Sequence, residues 1–417
     1  MKDEKQTGEL DFDKDKHKLT TTFWGSEINS ERFDFTSKVG YVWKEMPFQS
    51  IGFQNAFTNH NQQSYFGLNQ YDIKQQSYYS NLIFNSIIGN TMHKFSTGLN
   101  FMYDKYSEYV NTFDVSRIDN SVGAFFEYTF DNNDKLSYVL GGRMDYHNRL
   151  GAFVTPRFHL KYNAFENSVF RISAGRGKRA ANIFAENQNL FASSRTISIL
   201  GTKGEVYGLS PEIAWNYGVS FTQKFKLFSK SADVTVDFYR TDFQNQVVVD
   251  VMQSPQELLF YDLDGKSYAN SLQVDFNVEL IKHLNLRTAY KYFDISTDYL
   301  SGSYQRPLQA KHRFFANVEY ETHIKDKGQQ WKFDYTFNWL GKQQLPNTST
   351  NPEADRLPNF SPSFGVMNAQ ITRTFSSTFE MYVGGENIGN YRQDKAVLGS
   401  DNPFGPNFDT SIVYAPV

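Results

Sequence analysis

The 417 residues include no cysteine, which excludes disulfide staples, thiolate nucleophiles and cysteine-based metal sites. No apolar run approaches eighteen residues, so no segment is written as a membrane-spanning helix. The N-terminus, MKDEKQTGELDFDKDKHK, lacks the apolar core of a secretory signal. For an exported protein, that means the chain begins inside a longer one. Excess positive charge is missing too. Lys and Arg number 42 against 45 Asp and Glu, a net charge of −3, which argues against nucleic-acid binding through overall basicity. The eight His residues are scattered. His147, two positions after Asp145, reads as a solvated loop residue rather than a metal ligand. GRGKRA (175–180) lacks the spacing and the strand-to-helix context of a phosphate-binding loop. No catalytic constellation, metal site or cofactor is expected.

What the chain has is aromatic residues in a polar setting. Phe and Tyr number 39 and 26, yet mean hydropathy is −0.55. They stand singly among Asn, Asp, Lys, Gln and Ser, alternating with them at period 2, the pattern of strands with two unlike faces. From 331, Trp331, Phe333, Tyr335, Phe337 and Trp339 oppose Lys332, Asp334, Thr336 and Asn338. Leu272, Val274, Phe276 and Val278 oppose Gln273, Asp275, Asn277 and Glu279, and Ala232, Val234, Val236 and Phe238 oppose Asp233, Thr235 and Asp237. Trp331 and Trp339 stand roughly 27 Å apart at about 3.4 Å per residue. Tilted by about 40°, that projects to roughly 20 Å, near the separation of the aromatic girdles of a membrane barrel.

About sixteen such segments follow one another: 32–44, 48–60, 74–88, 93–109, 117–130, 135–146, 153–162, 168–174, 212–226, 231–250, 267–280, 284–298, 311–322, 330–340, 364–374 and 378–386. Short turns (EMPFQ, GNTMH, DNND, NAFEN, LFSKS, LIKHL, KDKGQ, FSST) alternate without a slip with longer connections at 61–73, 110–116, 147–152, 175–211, 251–266, 299–310, 341–363 and 387 onward. Tight turns on one side and long loops on the other are the plan of an antiparallel up-and-down transmembrane β-barrel. The expected organisation is an extracellular loop at 1–30, a partial barrel wall at 31–386, and an extracellular loop at 387–417 before a missing closing strand. An unclosed sheet would leave its two edges unpaired in hydrocarbon at several kcal/mol per group, so the chain reads as a piece of a larger barrel.

Four stretches carry a family resemblance: YGLSPEIAWNYGVSF (207–221), YANSLQVDF (268–276), YVGGENIGNYRQ (382–393) and VTPRFHLKYNAFENSVFRISAGRGKRAANIFAEN (154–187). In their order along the chain they resemble the C-terminal barrel of a TonB-dependent outer-membrane receptor of the Bacteroidetes type. The resemblance implies a barrel of roughly 22 strands, of which about sixteen, numbers 6 to 21, are present. The N-terminal plug and the TonB-contacting segment are absent. It further implies energy-coupled import across a Gram-negative outer membrane of a scarce ligand: a ferric siderophore, cobalamin, another metal chelate or an oligosaccharide. Implied partners are the TonB complex through that absent plug segment, outer-membrane lipids and lipopolysaccharide, and the ligand. A passive channel and a soluble carbohydrate-binding β-protein are the alternatives.

Arg176, Lys178 and Arg179 open the longest connection, and guanidinium groups suit carboxylate, catecholate or phosphate oxygens. With Asn182 and Asn187 they are the candidate ligand-binding residues. Lipopolysaccharide phosphates and loop carboxylates such as Glu186 are the competing partners. Asp237, Asp275, Glu279 and Asp334 are expected on the lumen face.

Overall fold

The computed structural model describes residues 2–132, 134–201, 203–325 and 328–417. Within them, the alternating segments form one antiparallel sheet. In chain order the strands are β1 (Lys2–Gly8), β2 (Gly25–Trp43), β3 (Met46–Phe66), β4 (Asn69–Ile88), β5 (Asn90–Val110), β6 (Phe113–Asp114), β7 (Arg117–Asp131), β8 (Leu136–His147), β9 (Gly151–Tyr162), β10 (Ser168–Arg179), β11 (Thr196–Leu200), β12 (Glu212–Leu227), β13 (Lys230–Asn245), β14 (Val247–Asp250), β15 (Glu257–Asp262), β16 (Ser267–Ile281), β17 (Leu284–Tyr299), β18 (Gly302–Tyr304), β19 (His312–Glu321), β20 (Gln330–Leu340), β21 (Phe364–Ser376) and β22 (Phe379–Gly385). Three of them, β11, β15 and β14, make a separate small sheet; the other nineteen make the wall.

Each of the expected segments has its counterpart in the wall. At the short-turn end, Phe228 and Ser229 both take positive φ (49° and 67°), the geometry of a two-residue hairpin turn. The Asn132 carboxamide oxygen accepts from the amides of Asp134, Lys135 and Leu136. Residue 133 of the turn at 131–134, and residues 326 and 327 of the turn at 325–329, lie outside the described residues.

The two faces are sorted as a bilayer requires. Met144, Val154, Val219 and Phe333 stand exposed, whereas Glu108, Arg117, Asp119 and Asp145 are buried. This inverts a water-soluble domain. Trp331, Phe333 and Tyr335 face outward, and Asp334 turns inward to accept from Asn317 Nδ2 at 2.8 Å. Asp275 points inward also, where Gln273 Nε2 donates to it. Glu279 meets Lys230 at 3.4 Å. β22 pairs with β21, and the Arg32–Trp43 part of β2 pairs with β3. Among the described residues no ladder joins the first strands to the last.

The long-connection end departs from expectation. Residues 61–73, expected as a loop, continue the β3–β4 ladder up to Phe66↔Asn69, and the chain reverses at Gly67 and Leu68. Residues 1–30, also expected as a loop, hold β1, paired from Lys2↔Glu31 to Gly8↔Gly25, and a helical turn at Lys14–His17 capped by Asp13. Segment 231–250 divides, its last residues leaving the wall as β14. β10 runs on to Arg179, beyond the expected 174. The physical reason is common to all four. Outside the hydrocarbon a strand needs no apolar face, so alternation no longer marks where it ends.

Candidate functional site

Two of the long connections, between β10 and β12 and between β13 and β16, do not remain loose. Residues 180–201 and 203–211 fold back over the mouth of the wall through a short helix (Ile183–Glu186), a 3₁₀ turn (Gln188–Phe191) and β11. β11 runs parallel to β15 from Thr196↔Glu257 to Leu200↔Tyr261, and β15 pairs with β14. Ile183, Phe184, Phe191, Leu209, Leu258 and Phe260 pack with Tyr71, Ile73 and Val110 of the tall hairpins. Phe191 stacks on Tyr71 at 5.6 Å and on Phe66 at 6.3 Å. This outer cap, rather than the wall, holds a conventional apolar core.

A buried charge cluster fastens the cap to β5 and β7. Arg117 Nη1 donates to Glu108 Oε2 at 2.8 Å, and Nε to Asp119 Oδ2 at 3.1 Å. Arg149 Nε reaches the other Asp119 oxygen at 2.9 Å. From the cap, the Tyr207 hydroxyl donates to Glu108 at 2.6 Å and accepts from Arg117 at 2.9 Å. Asn182 Oδ1 accepts from Arg117 Nη2. The Arg117 guanidinium lies 4.0 Å from the Tyr106 ring centroid. Burial pushes the Tyr207 phenol far above the ordinary tyrosine range, and the Glu108 carboxylate adds to the shift. The cluster is satisfied on all sides, so it acts as a clamp.

Beside the clamp lies a cleft of about 710 Å³ between the tall hairpins, the cap and the C-terminal segment, lined by Trp24, Phe66, Phe113, Phe184, Ile197 and Phe408 among others. Its volume falls in the range of small-molecule sites. Trp24 and Phe408 meet at 5.2 Å. Buried Arg195 ties the C-terminal segment down through Asp409 at 3.0 Å. Asn69 Nδ2 donates to the carbonyls of Phe191 and Ser193, both at 3.0 Å. Asp114 stands among the lining residues, its carboxyl held below the usual carboxylate range by the Ser116 hydroxyl and amide.

The candidate residues fall in different places. Arg179 is taken up by two carboxylates, Glu186 (2.7 and 2.9 Å) and Glu212 (2.6 Å). Asn182 serves the clamp, and Asn187 Nδ2 donates to the Ile183 carbonyl at 2.8 Å. Lys178 donates to the Leu150 carbonyl at 2.8 Å. Arg176 pairs in register with Trp215 on the outward face and reaches Gln244 Oε1 at 3.2 Å. His147 is buried rather than solvated: its Nδ1 accepts from the amides of Arg149 and Leu150, fixing the turn at 148–150. No cluster able to hold a metal occurs among the described residues. Sequence reasoning missed Glu108, Arg117 and Asp119, whose signal was three charges on the inward face flanking the connection at 110–116. It also missed Trp24, Arg195 and Asp409, for which no local signal exists.

The family model described as TonB dependent receptor-like, beta-barrel matches residues 3–388. No curated protein matches the chain by sequence. Similar solved structures include a mutant of the ferric enterobactin receptor of Pseudomonas aeruginosa (TM-score 0.64, 12% identity, 88% of this chain and 57% of that one). The ferric-catecholate import receptor Fiu of E. coli K12 is another (TM-score 0.62, 11% identity, 89% and 61%). So is the siderophore receptor PiuA of Acinetobacter baumannii (TM-score 0.59, 14% identity, 89% and 61%). At such identities the likeness concerns the fold, and the chain spans between half and two thirds of those receptors.

Proposed function

The chain belongs to the TonB-dependent receptor-like β-barrel family, and from that premise we propose that it forms the barrel of an energy-coupled importer in a Gram-negative outer membrane. Proteins of this family are outer-membrane receptors that move ligands rather than transform them. The proposed ligand is a ferric siderophore, the class named for the similar folds. The observation that carries the reading is the cleft at the extracellular end. Its aromatic lining accepts planar apolar ligand arms by burial and stacking, and the charge clamp holds its walls in place. The inward faces of the wall, with Asp237, Asp275, Glu279 and Asp334, face the lumen, where a plug and the passing ligand would be hydrogen-bonded. TonB is the proposed energy source, acting through such a plug.

The test is uptake of radioactive iron, as a ferric catecholate, by iron-limited cells that make the receptor. Uptake is expected to stop with a protonophore, and Trp24→Ala is expected to raise the half-saturating concentration at least about tenfold by removing a stacking wall. Uptake that continues unchanged with the protonophore overturns the energy-coupled reading. Unchanged affinity in Trp24→Ala overturns the cleft as the ligand site.

A further inference from the structure

The cleft between the tall hairpins, the cap and the C-terminal segment is walled by aromatic side chains, and its polar groups are of one kind. Arg195 and Asp114 are the charged residues of its lining. Arg195 does not present its charge to the space. Its side chain is 2% exposed, Nε donates to Asp409 at 3.0 Å, and Nη1 donates to the Ser254 carbonyl at 3.4 Å. Neutral donors are committed in the same way. Asn69 Nδ2 gives both hydrogens to the Phe191 and Ser193 carbonyls. The Ser193 hydroxyl donates to the Leu190 carbonyl at 2.7 Å, and the Thr196 hydroxyl to that of Gln256 at 3.2 Å.

What remains for an occupant is an acceptor. Asp114 stands at the tip of the hairpin joining β5 to β7, in register with Tyr109. The tip is fixed to its neighbour. The Asn111 amide donates to the Gln70 carbonyl at 2.9 Å, and the Asn111 carboxamide oxygen accepts from the Gln70 amide at 2.8 Å. The Asp114 carboxylate accepts from the Ser116 amide at 2.9 Å on its own turn, and no cation pairs with it among the described residues. Three of the rings lining the same cleft keep accessible surface: Trp24, Phe404 and Phe113, the last 69% exposed. A ring face is the negative side of the aromatic quadrupole, so rings and carboxylate favour the same sign of charge.

We propose that the cleft receives a protonated aliphatic amine carried on an arm of the ligand, with Asp114 as its counter-ion and the faces of Trp24, Phe113 and Phe404 around it. This deepens the reading of the cleft as the ligand site and rests on it. Ammonium groups are drawn to aromatic faces, to Trp most strongly, and each brings three hydrogens to a site that offers acceptors. The anionic oxygens that hold iron in a ferric catecholate have the opposite need. They require cations or free donors, which this lining has committed elsewhere. The cleft therefore selects the arm and not the iron core, and the ligand class is a ferric chelate with a basic amine in its organic frame.

The test is isothermal titration of the detergent-purified receptor with two ferric catecholamide chelates, one ending in an aminopropyl arm and the other in the same arm N-acetylated. Acetylation removes the charge and leaves the catecholates and the iron unchanged. The amine form is expected to bind about tenfold more tightly, from one exposed ion pair together with one cation–π contact. Asp114→Asn, whose carboxamide oxygen still accepts from the Ser116 amide, is expected to bring that ratio below about threefold, and Asp114→Lys to invert it. The comparison on the unsubstituted receptor needs no variant to fold, and each ratio is read within one protein. Equal binding of the two chelates, with both weakened by Trp24→Ala, overturns the amine assignment and leaves the cleft as the ligand site. Binding indifferent to Trp24→Ala, or binding of neither chelate, removes the cleft reading and this inference with it. An undiminished preference for the amine in Asp114→Asn overturns Asp114 as the counter-ion.

Discussion

Replacing Arg117 by Met keeps most of the side-chain volume but removes the charge at the centre of the clamp. Arg117, Glu108 and Asp119 have side chains 5%, 1% and 8% exposed, so water cannot replace the lost partner. Breaking a buried ion pair from one side costs about 3–5 kcal/mol. The low end applies here for a structural reason. Asp119 keeps Arg149 at 2.9 Å, and Glu108 keeps the Tyr71 and Tyr207 hydroxyls at 3.0 and 2.6 Å, so only part of the desolvation is uncompensated. About 3 kcal/mol corresponds to roughly a hundredfold rise in the opening equilibrium of the cap. The assay is amide hydrogen exchange, read on peptides covering 180–187 and 203–209, where exchange follows local opening. Adding Glu108→Gln removes the stranded charge and is expected to restore about 1–2 kcal/mol of the loss. Protection in 203–209 that stays within threefold of the unsubstituted protein refutes the clamp. Failure of Glu108→Gln to restore any protection refutes the stranded-charge explanation.

Three further expectations concern the wall, the hairpin and the clamp. Val219→Lys, on the exposed outer face, is expected to cost about 2–4 kcal/mol in refolding into bilayers, whereas Asn216→Lys, three residues away on the inward face, costs less than about 1; urea titration in liposomes separates them. Gly67 has φ +59°, and a Cβ there would come within 2.5 Å of Trp24 Nε1, so Gly67→Ala is expected to displace Trp24 and shift the tryptophan emission while far-ultraviolet circular dichroism is kept. The folded-state pKa of Tyr207 is raised by burial and by Glu108, so its stabilising contribution is complete below the unfolded phenol value of about 10 and is lost as pH rises above it. Cap protection should therefore fall between pH 9 and 11, and fall less steeply in Tyr207→Phe, as exchange corrected for intrinsic rates would report.

The parts of the molecule that face hydrocarbon could be read from sequence, and the parts that face water could not. The bilayer admits apolar side chains on one face only, so Trp331, Phe333 and Tyr335 reveal both the strand and its outward side before any contact is known. The same rule shows which way Asp275 and Asp334 turn. Beyond the girdle the constraint ends. The strand around Gln62–Ser64 is polar on both faces and reads as loop, although it is paired throughout. The cap depends on contacts that no local pattern announces: Tyr71, Phe191 and Phe260 share one core, and Arg195 finds Asp409 across 214 positions. The basic run at 176–179 shows how the two regimes meet. As a string it is one cluster of cations at the start of a long connection. On a strand, alternation sends Arg176 outward beside Trp215 and Arg179 inward to Glu212. Neighbours in sequence thus serve opposite sides of the wall, and the period-2 rule that identified the strands already separated them.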